Sequence, residues 1–333
     1  MTSGPEARRA EREAEVPAPR GATAAADAAL PPPGELPPRP PGARGSLAVG
    51  LVRAVRPRQW VKNVLVLAAP AAAGRLFEQD VARATLLALV LFCAVSAGIY
   101  LVNDVVDVEE DRRHPKKRFR PIAAGIVPRG LALGLAVVLF AGALVLGSLF
   151  ARPALGWVLG VYVVIQLGYC LWLKHQPVID LAIVASGFLL RTVAGGVAAG
   201  IAISQWFLLV AAFGSLFMVA GKRYSELVVL GEEAATRKSL REYSASYLRF
   251  VWSMSAGVTV TVYSLWAFEI GRTQDGIPWS TISIAPFVLG LLRHAVDLDR
   301  GAAGAPEEVV LNDKVLLLIG TVWVATLGLG VFL

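Results

Sequence analysis

Four side chains in one short stretch, Asn103, Asp104, Asp107 and Asp111, have the types and spacing to hold a hard cation. On a helix turning 100° per residue, with Asn103 at zero, Asp107 falls at about 40°, Asp111 at about 80° and Asp104 at about 100°. They share one face, which runs roughly 12 Å along the axis. Glu110 lies at its edge and Glu109 points to the far side. Carboxylates in the last turns of a helix meet the negative end of its dipole and repel one another, and a divalent cation reverses that balance. Oxygen donors without cysteine, and with only His114 nearby, suit Mg²⁺ better than zinc. Mg²⁺ commonly completes its shell with phosphate oxygens, so the pattern points to a diphosphate held through Mg²⁺. Asp104, Asp107 and Asp111 are the candidate catalytic carboxylates, with Asn103 a fourth metal ligand. An isolated DxxxD is more often a solvated helix end, but this one abuts an apolar span, where ionisable groups are costly and usually functional.

Anionic ligands need cations, and three segments gather them. The stretch from Arg56 presents Arg58, Gln59, Lys62 and Asn63 beside Trp60, although an interfacial anchor would read the same way. The run after the carboxylates brings Lys117, Arg118 and Arg120. The third segment holds Lys222, Arg223, Tyr224 and Glu226, with Lys222 and Glu226 at i and i+4 on one face, where an exposed ion pair of little worth is the bland alternative.

The elements that must position these groups are membrane spans. Apolar residues make up 56% of the 333 and mean hydropathy is +0.60, with apolar runs of about 20 residues recurring along the chain. About nine spans are expected, at 60–73, 81–103, 131–150, 154–173, 178–198, 205–220, 248–269, 282–298 and 314–333, the short first one extended back to near Leu47. The fold class is an all-α polytopic bundle in the lipid bilayer. With the N-terminus inside, the outer loops carry only Arg75, Arg83, Arg152 and Arg272, against fifteen Lys and Arg in the inner loops between spans. The carboxylate face therefore looks into the cytoplasm from a multi-pass protein of the cell membrane. Residues 1–46 hold ten of the twenty prolines and read as a disordered tail dispensable for chemistry, leaving 47–333 as the catalytic domain.

Within the fifth span, Asp180 and Arg191 are three turns apart on nearly one stripe, facing a cavity or an interhelix partner rather than lipid. Cys93 and Cys170 both lie in apolar segments and read as packing residues, not a disulfide or zinc site.

The stretch Asn103-Asp104-Val-Val-Asp107-Val-Glu-Glu-Asp111 resembles the NDxxDxxxD motif of the UbiA-type intramembrane prenyltransferases, and nine spans with polar inner loops agree with that resemblance. It implies a UbiA-type bundle, Mg²⁺-bound diphosphate at this motif, and a second aspartate-rich motif at the inner end of the sixth span. The chain departs there, with Lys222-Arg-Tyr-Ser-Glu226 in place of DxxxD. That departure, with the segments at 56–70 and 237–252, resembles more closely the branch that joins 5-phosphoribosyl diphosphate to decaprenyl or another polyprenyl phosphate in making the arabinose donor for cell-wall arabinan. Such a reaction brings three anionic groups together, which suits the surplus of cations. A phosphate acceptor is already anionic near neutral pH and needs no general base. A prenyl diphosphate donor with an aromatic acceptor, and a membrane transporter, are the alternatives. Nothing points to nucleic acid, and a homo-oligomer is left open.

Overall fold

The computed structural model describes residues 46–230, 242–271, 276–300 and 313–332. The expected tail, 1–46, lies outside them except for Ser46, whose hydroxyl accepts a bond from Val49 N and caps α1 (Leu47–Ala54). Among the described residues every regular element is helical. After α1 come a 3₁₀ segment, Pro57–Leu67, and α2 (Ala68–Ala72). Then follow α3 (Gln79–Val106), α4 (Val108–Arg113), α5 (Arg129–Phe150), α6 (Pro153–Leu171) and α7 (Ile179–Ala199). The chain continues with α8 (Gln205–Leu230), α9 (Ala245–Gly271), α10 (Trp279–Ile282), α11 (Ile284–Asp299) and α12 (Lys314–Phe332).

Among the described residues, eight helical stretches are long and apolar enough to cross a membrane. They correspond to the second through ninth expected spans. The first does not form one continuous helix. Pro57 opens the 3₁₀ segment, Arg56 before it adopts a left-handed φ of 52°, and Arg58, Gln59, Lys62 and Asn63 interrupt the apolar run. Proline interrupts the helix ladder, and a broken stretch is tolerated at this depth because it is folded as short pieces against neighbouring helices rather than against lipid. The closest neighbour is α7. A Cβ added at Gly195 would lie 1.7 Å from the carbonyl oxygen of Val66, so only glycine lets the two backbones approach this far.

The helix α3 is the bundle's axis. Its 28 residues extend about 42 Å, longer than the roughly 30 Å of a hydrocarbon core, so its last turns project to the polar end. It packs along α5, α6, α7 and the 3₁₀ segment. Phe92, Val95 and Ile99 meet Leu155, Leu159, Ala194 and Val66 in the largest buried cluster. A second cluster joins α7, α8 and α9 through Leu181, Val219, Ala220 and Leu248. Large apolar side chains such as Leu149, Phe150, Trp157 and Val164 point outward, as expected of surface meant for lipid. The chain is a multi-pass membrane protein.

Candidate active site

The carboxylate stretch is not one helix. The α3 helix ends at Val106, Asp107 takes φ −87° and ψ 7°, and α4 begins at Val108. Asp107 N still bonds Asn103 O at 2.9 Å and Asp111 N bonds Asp107 O at 2.8 Å, so the register barely changes and the shared face survives the break. The interruption also changes the electrostatics. Asp111 now lies in the first turn of α4, where a helix favours negative charge, while Asp104 remains at the unfavourable end of α3.

Asp104 and Asp111 are buried, each about 1% exposed, and their charges are met by cations. Arg120 Nη1 donates to Asp104 Oδ1 at 3.1 Å and to Asp111 Oδ2 at 2.7 Å, bridging the two. Arg56 Nη2 donates to the same Asp104 oxygen and its guanidinium stacks over Tyr100 at 5.1 Å. Asp107 accepts from Asn103 Nδ2 at 3.1 Å and from Lys174 Nζ at 2.5 Å.

Local folding brings Arg120 back over the motif. His114 Nδ1 accepts the backbone N–H groups of Lys116 and Lys117, turning the chain after α4. Ile122 and Val127 then bury against Ala54, Leu101 and Val108, which fixes Arg120 just before them. In the same turn Lys117 is exposed, and the half-buried Arg118 lies over Phe119 at 4.9 Å. Glu109 points away, as its angle on the helix requires, and accepts from Arg129 at 2.6 Å and Arg112 at 3.3 Å. Its carboxyl is held below the ordinary range, chiefly by the Arg129 bond.

A second polar cluster forms at the same end of the bundle. Arg223, on α8, donates to Asp180 on α7 at 3.3 Å and to Glu226 at 3.5 Å. The pair expected from spacing was Lys222 with Glu226; the geometry instead puts Glu226 on the i, i+3 guanidinium of Arg223. Tyr243 donates to the other Asp180 oxygen and accepts from Val178 N at 2.8 Å. Burial, and next that bond to Asp180, push the Tyr243 phenol above its ordinary pKa. Tyr169 also lies against Arg223. The connection from Lys174 to Asp180 thus touches both clusters. Within it Val178 has φ 68° and ψ −48°, and Ile179 N bonds Pro177 O at 2.8 Å, a γ-turn that is strained for a β-branched residue. Val178 and Arg56 are the only non-glycine residues with positive φ among those described; Arg56 is itself the partner of Asp104, and Val178 N holds Tyr243, the partner of Asp180.

Two proposed substrate residues face elsewhere. Tyr224, one step round α8 from Arg223, is buried and bonded to Asp299 at 3.3 Å and to Arg249 at 2.5 Å. Asn63 is buried deeper, accepting from Arg191 Nε at 2.8 Å and donating to Cys93 Sγ at 3.2 Å. Arg191 also bonds Tyr162 at 3.1 Å and Gly187 O at 2.6 Å and stacks on Phe92 and Tyr162. Asp180 and Arg191 therefore serve separate networks. Of the rest of the first segment, Arg58 is exposed and Gln59 and Lys62 are half-buried; Lys222 is half-buried as well. Spacing singles out Asp180 but not its partners Arg223 and Tyr243, and it does not reveal Lys174 or the pairing of Arg56 with Asp104, because each contact joins distant parts of the chain.

The pattern of the UbiA prenyltransferase family matches residues 64–312, a span that includes both clusters apart from Arg56. The chain belongs to that family. It is 53% identical over 293 residues to a decaprenyl-phosphate phosphoribosyltransferase of Corynebacterium glutamicum, covering 86% of this chain and 88% of that protein. With the Mycobacterium tuberculosis protein of the same name it shares 52% identity, covering 86% and 95%. The fold resembles a digeranylgeranylglyceryl phosphate synthase at TM-score 0.62 and 18% identity, covering 86% of this chain and 99% of that one. It also resembles a UbiA homologue of Archaeoglobus fulgidus bound to geranyl diphosphate and Mg²⁺ (TM-score 0.60, 16% identity, 85% and 99% coverage).

A divalent cation fits this UbiA-family site by its chemistry. The donors are hard oxygens, and the space between Asp104 and Asp111 already takes a positively charged nitrogen, that of Arg120. Among the described residues no three His, Cys, Asp or Glu side chains are gathered as a ready-made metal cage, so a bound ion would draw part of its shell from a phosphate or water.

Proposed function

We propose that the chain transfers a 5-phosphoribosyl group from phosphoribosyl diphosphate to decaprenyl phosphate or a similar polyprenyl phosphate, with Mg²⁺. The observation that carries this reading is the identity of about 52% over 86% of the chain with the decaprenyl-phosphate phosphoribosyltransferases. The site's charge pattern supports it. Where the resemblance implies a second aspartate motif, α8 brings Lys222 and Arg223, which favours a substrate pair with more phosphate than a prenyl diphosphate and an aromatic acceptor.

In the reaction an acceptor phosphate oxygen forms a bond to C1 of the ribose, the C1–O bond to diphosphate breaks, and diphosphate leaves with the electron pair. Asp104, Asp107 and Asp111, with Asn103, would hold Mg²⁺, which neutralises charge on the leaving diphosphate. Arg120, Arg56 and Lys174 stand around the same oxygens and bind phosphate. Arg223 and Lys222 orient the remaining phosphate, that of the donor's 5-position or of the acceptor. No side chain is required to take a proton, since the acceptor is ionised. The bias of Lys and Arg towards this end of the bundle supports a site open to the cytoplasm, where a phosphorylated nucleotide precursor and Mg²⁺ are at hand.

The test is donor choice. Purified protein given labelled phosphoribosyl diphosphate and decaprenyl phosphate should form a lipid-extractable ribosyl product and free diphosphate. Exclusive use of a prenyl diphosphate would overturn the reading, and solute uptake by vesicles without transfer would make the chain a transporter.

A further inference from the structure

Every carboxylate of the motif is matched by a cation in direct contact: Asp104 by Arg56 and Arg120, Asp111 by Arg120, and Asp107 by Lys174. None of these cations belongs to the motif. Arg56 reaches Asp104 across 48 positions of sequence and Lys174 reaches Asp107 across 67. Three acidic groups and three basic groups therefore balance, in a setting where a lone divalent cation would meet guanidinium and ammonium groups as closely as carboxylates. Repulsion then offsets much of the attraction on which such an ion depends. A diphosphate alters the sum, because it brings more negative charge than the ion brings positive.

The exposures show which partner can move. The Asp104 and Asp111 side chains are 2% and 1% exposed and fixed on helices, whereas those of Arg56 and Arg120 are each 26% exposed; Asp107 and Lys174 are equally exposed, 18% each, and there it is the long lysine chain against a short aspartate that can swing away. Long flexible cations at a polar rim can change partners with little loss of packing; buried aspartates cannot.

We infer that Arg56, Arg120 and Lys174 are exchangeable counter-ions, which neutralise the motif carboxylates until a divalent cation and a diphosphate enter together and then shift to the phosphate oxygens. This rests on the reading of the site as one for diphosphate and a divalent metal. Metal and diphosphate bind synergistically, and neither binds tightly alone. Removing one of the cations makes the site more attractive to free metal while weakening its hold on diphosphate. A permanent structural salt bridge could give the first effect, by leaving a bare carboxylate, but not the loss of diphosphate binding or the synergy in the unaltered protein.

The test uses the full chain in nanodiscs, Mn²⁺ as a spectroscopic probe read by electron paramagnetic resonance, and inorganic diphosphate as the anion. The wild-type protein should bind Mn²⁺ at least about tenfold more tightly with diphosphate than without it. Arg120→Gln and Lys174→Gln should each bind Mn²⁺ alone roughly tenfold more tightly than wild type and bind diphosphate more weakly. Equal Mn²⁺ affinity with and without diphosphate in the wild type would overturn the exchange, as would variants whose Mn²⁺ affinity is unchanged or lower. Should Arg120→Gln not fold, Lys174→Gln and the wild-type synergy decide, the latter with no substitution at all. Synergy without any ribosyl transfer would refute the proposed donor and leave the exchange intact; ribosyl transfer without synergy would do the reverse.

Discussion

Arg223 Nη2 lies 3.3 Å from Asp180 Oδ2, placing a carboxylate of α7 beside the part of α8 where the family resemblance implies a second aspartate motif. Beside Glu226 on α8, this half of the site gains a second acid from a neighbouring helix, and both share the Arg223 guanidinium. The Asp180 and Arg223 side chains are largely buried, 3% and 18% exposed, so loss of one strands the other. Arg223→Ala should raise the apparent KM for a phosphorylated substrate roughly ten- to hundredfold, the range expected when a charge-assisted bond of about 1.5 to 3 kcal/mol is lost. Asp180→Asn should lower thermal stability, and Asp180→Asn combined with Arg223→Gln should cost less than the two single changes added together. Strict additivity in that cycle would show that the two residues act independently.

The two kinds of carboxylate in the first motif should fail differently. Asp104 is buried between Arg56 and Arg120, and Asp104→Ala removes the carboxylate of Arg56 and one of the two that Arg120 bridges, so poor folding is the expected outcome. Asp107 and its partner Lys174 are each 18% exposed and sit at a helix break, so Asp107→Ala should fold and yet lose turnover. Chelation with EDTA should abolish activity and added Mg²⁺ restore it. Size-exclusion profiles, melting curves and turnover measured together check this; an active Asp107→Ala enzyme would remove Asp107 from the metal set.

Glu109 is the control within the same stretch. Its carboxyl lies below the ordinary pKa because of the Arg129 bond, and the side chain is 62% exposed. With a folded pKa below the unfolded one, its small contribution is present above the ordinary carboxylate range and fades as pH falls through the lower folded value. Glu109→Gln should leave turnover within about twofold, as for a surface pair screened by water and salt. A large loss would mean that Glu109 contacts substrate.

What could be read from sequence was what repeats locally. Asn103, Asp104, Asp107 and Asp111 lie within nine positions, so helical geometry alone puts them on one face, and even the break at Asp107 leaves that face in register. The second to ninth spans follow from apolar run length. Partners brought in by folding were not legible: Arg191 meets Asn63 across 128 positions, and Asp180 meets Tyr243 across 63. Lys174 counted in the sequence only as one more inner-loop charge, since nothing in its neighbours shows that the connection carrying it crosses Asp107. The first span misled for another reason. Its apolar residues promised a helix, but Pro57 and the polar side chains from Arg58 to Asn63 make continuous helix the poorer choice once α7 can receive the segment.

That last contact is itself testable. The 3₁₀ segment carries Asn63, which bonds Arg191, and is entered from Arg56, which bonds Asp104. Its depth against α7 is set at Gly195, one turn beyond Arg191, where an added methyl would fall 1.7 Å from Val66 O. Backbone cannot yield as a side-chain tip can, so Gly195→Ala must push the whole segment outward, loosening the Arg191 bond at 2.8 Å and drawing Arg56 off Asp104. The expected result is a fall in melting temperature together with a loss of turnover, although the substitution touches no proposed substrate group. Gly257 on α9 has open space around its Cβ position, and Gly257→Ala should behave as wild type in both measurements. If Gly195→Ala retained normal stability and turnover, the close approach of α7 and the 3₁₀ segment would not be what positions Arg56.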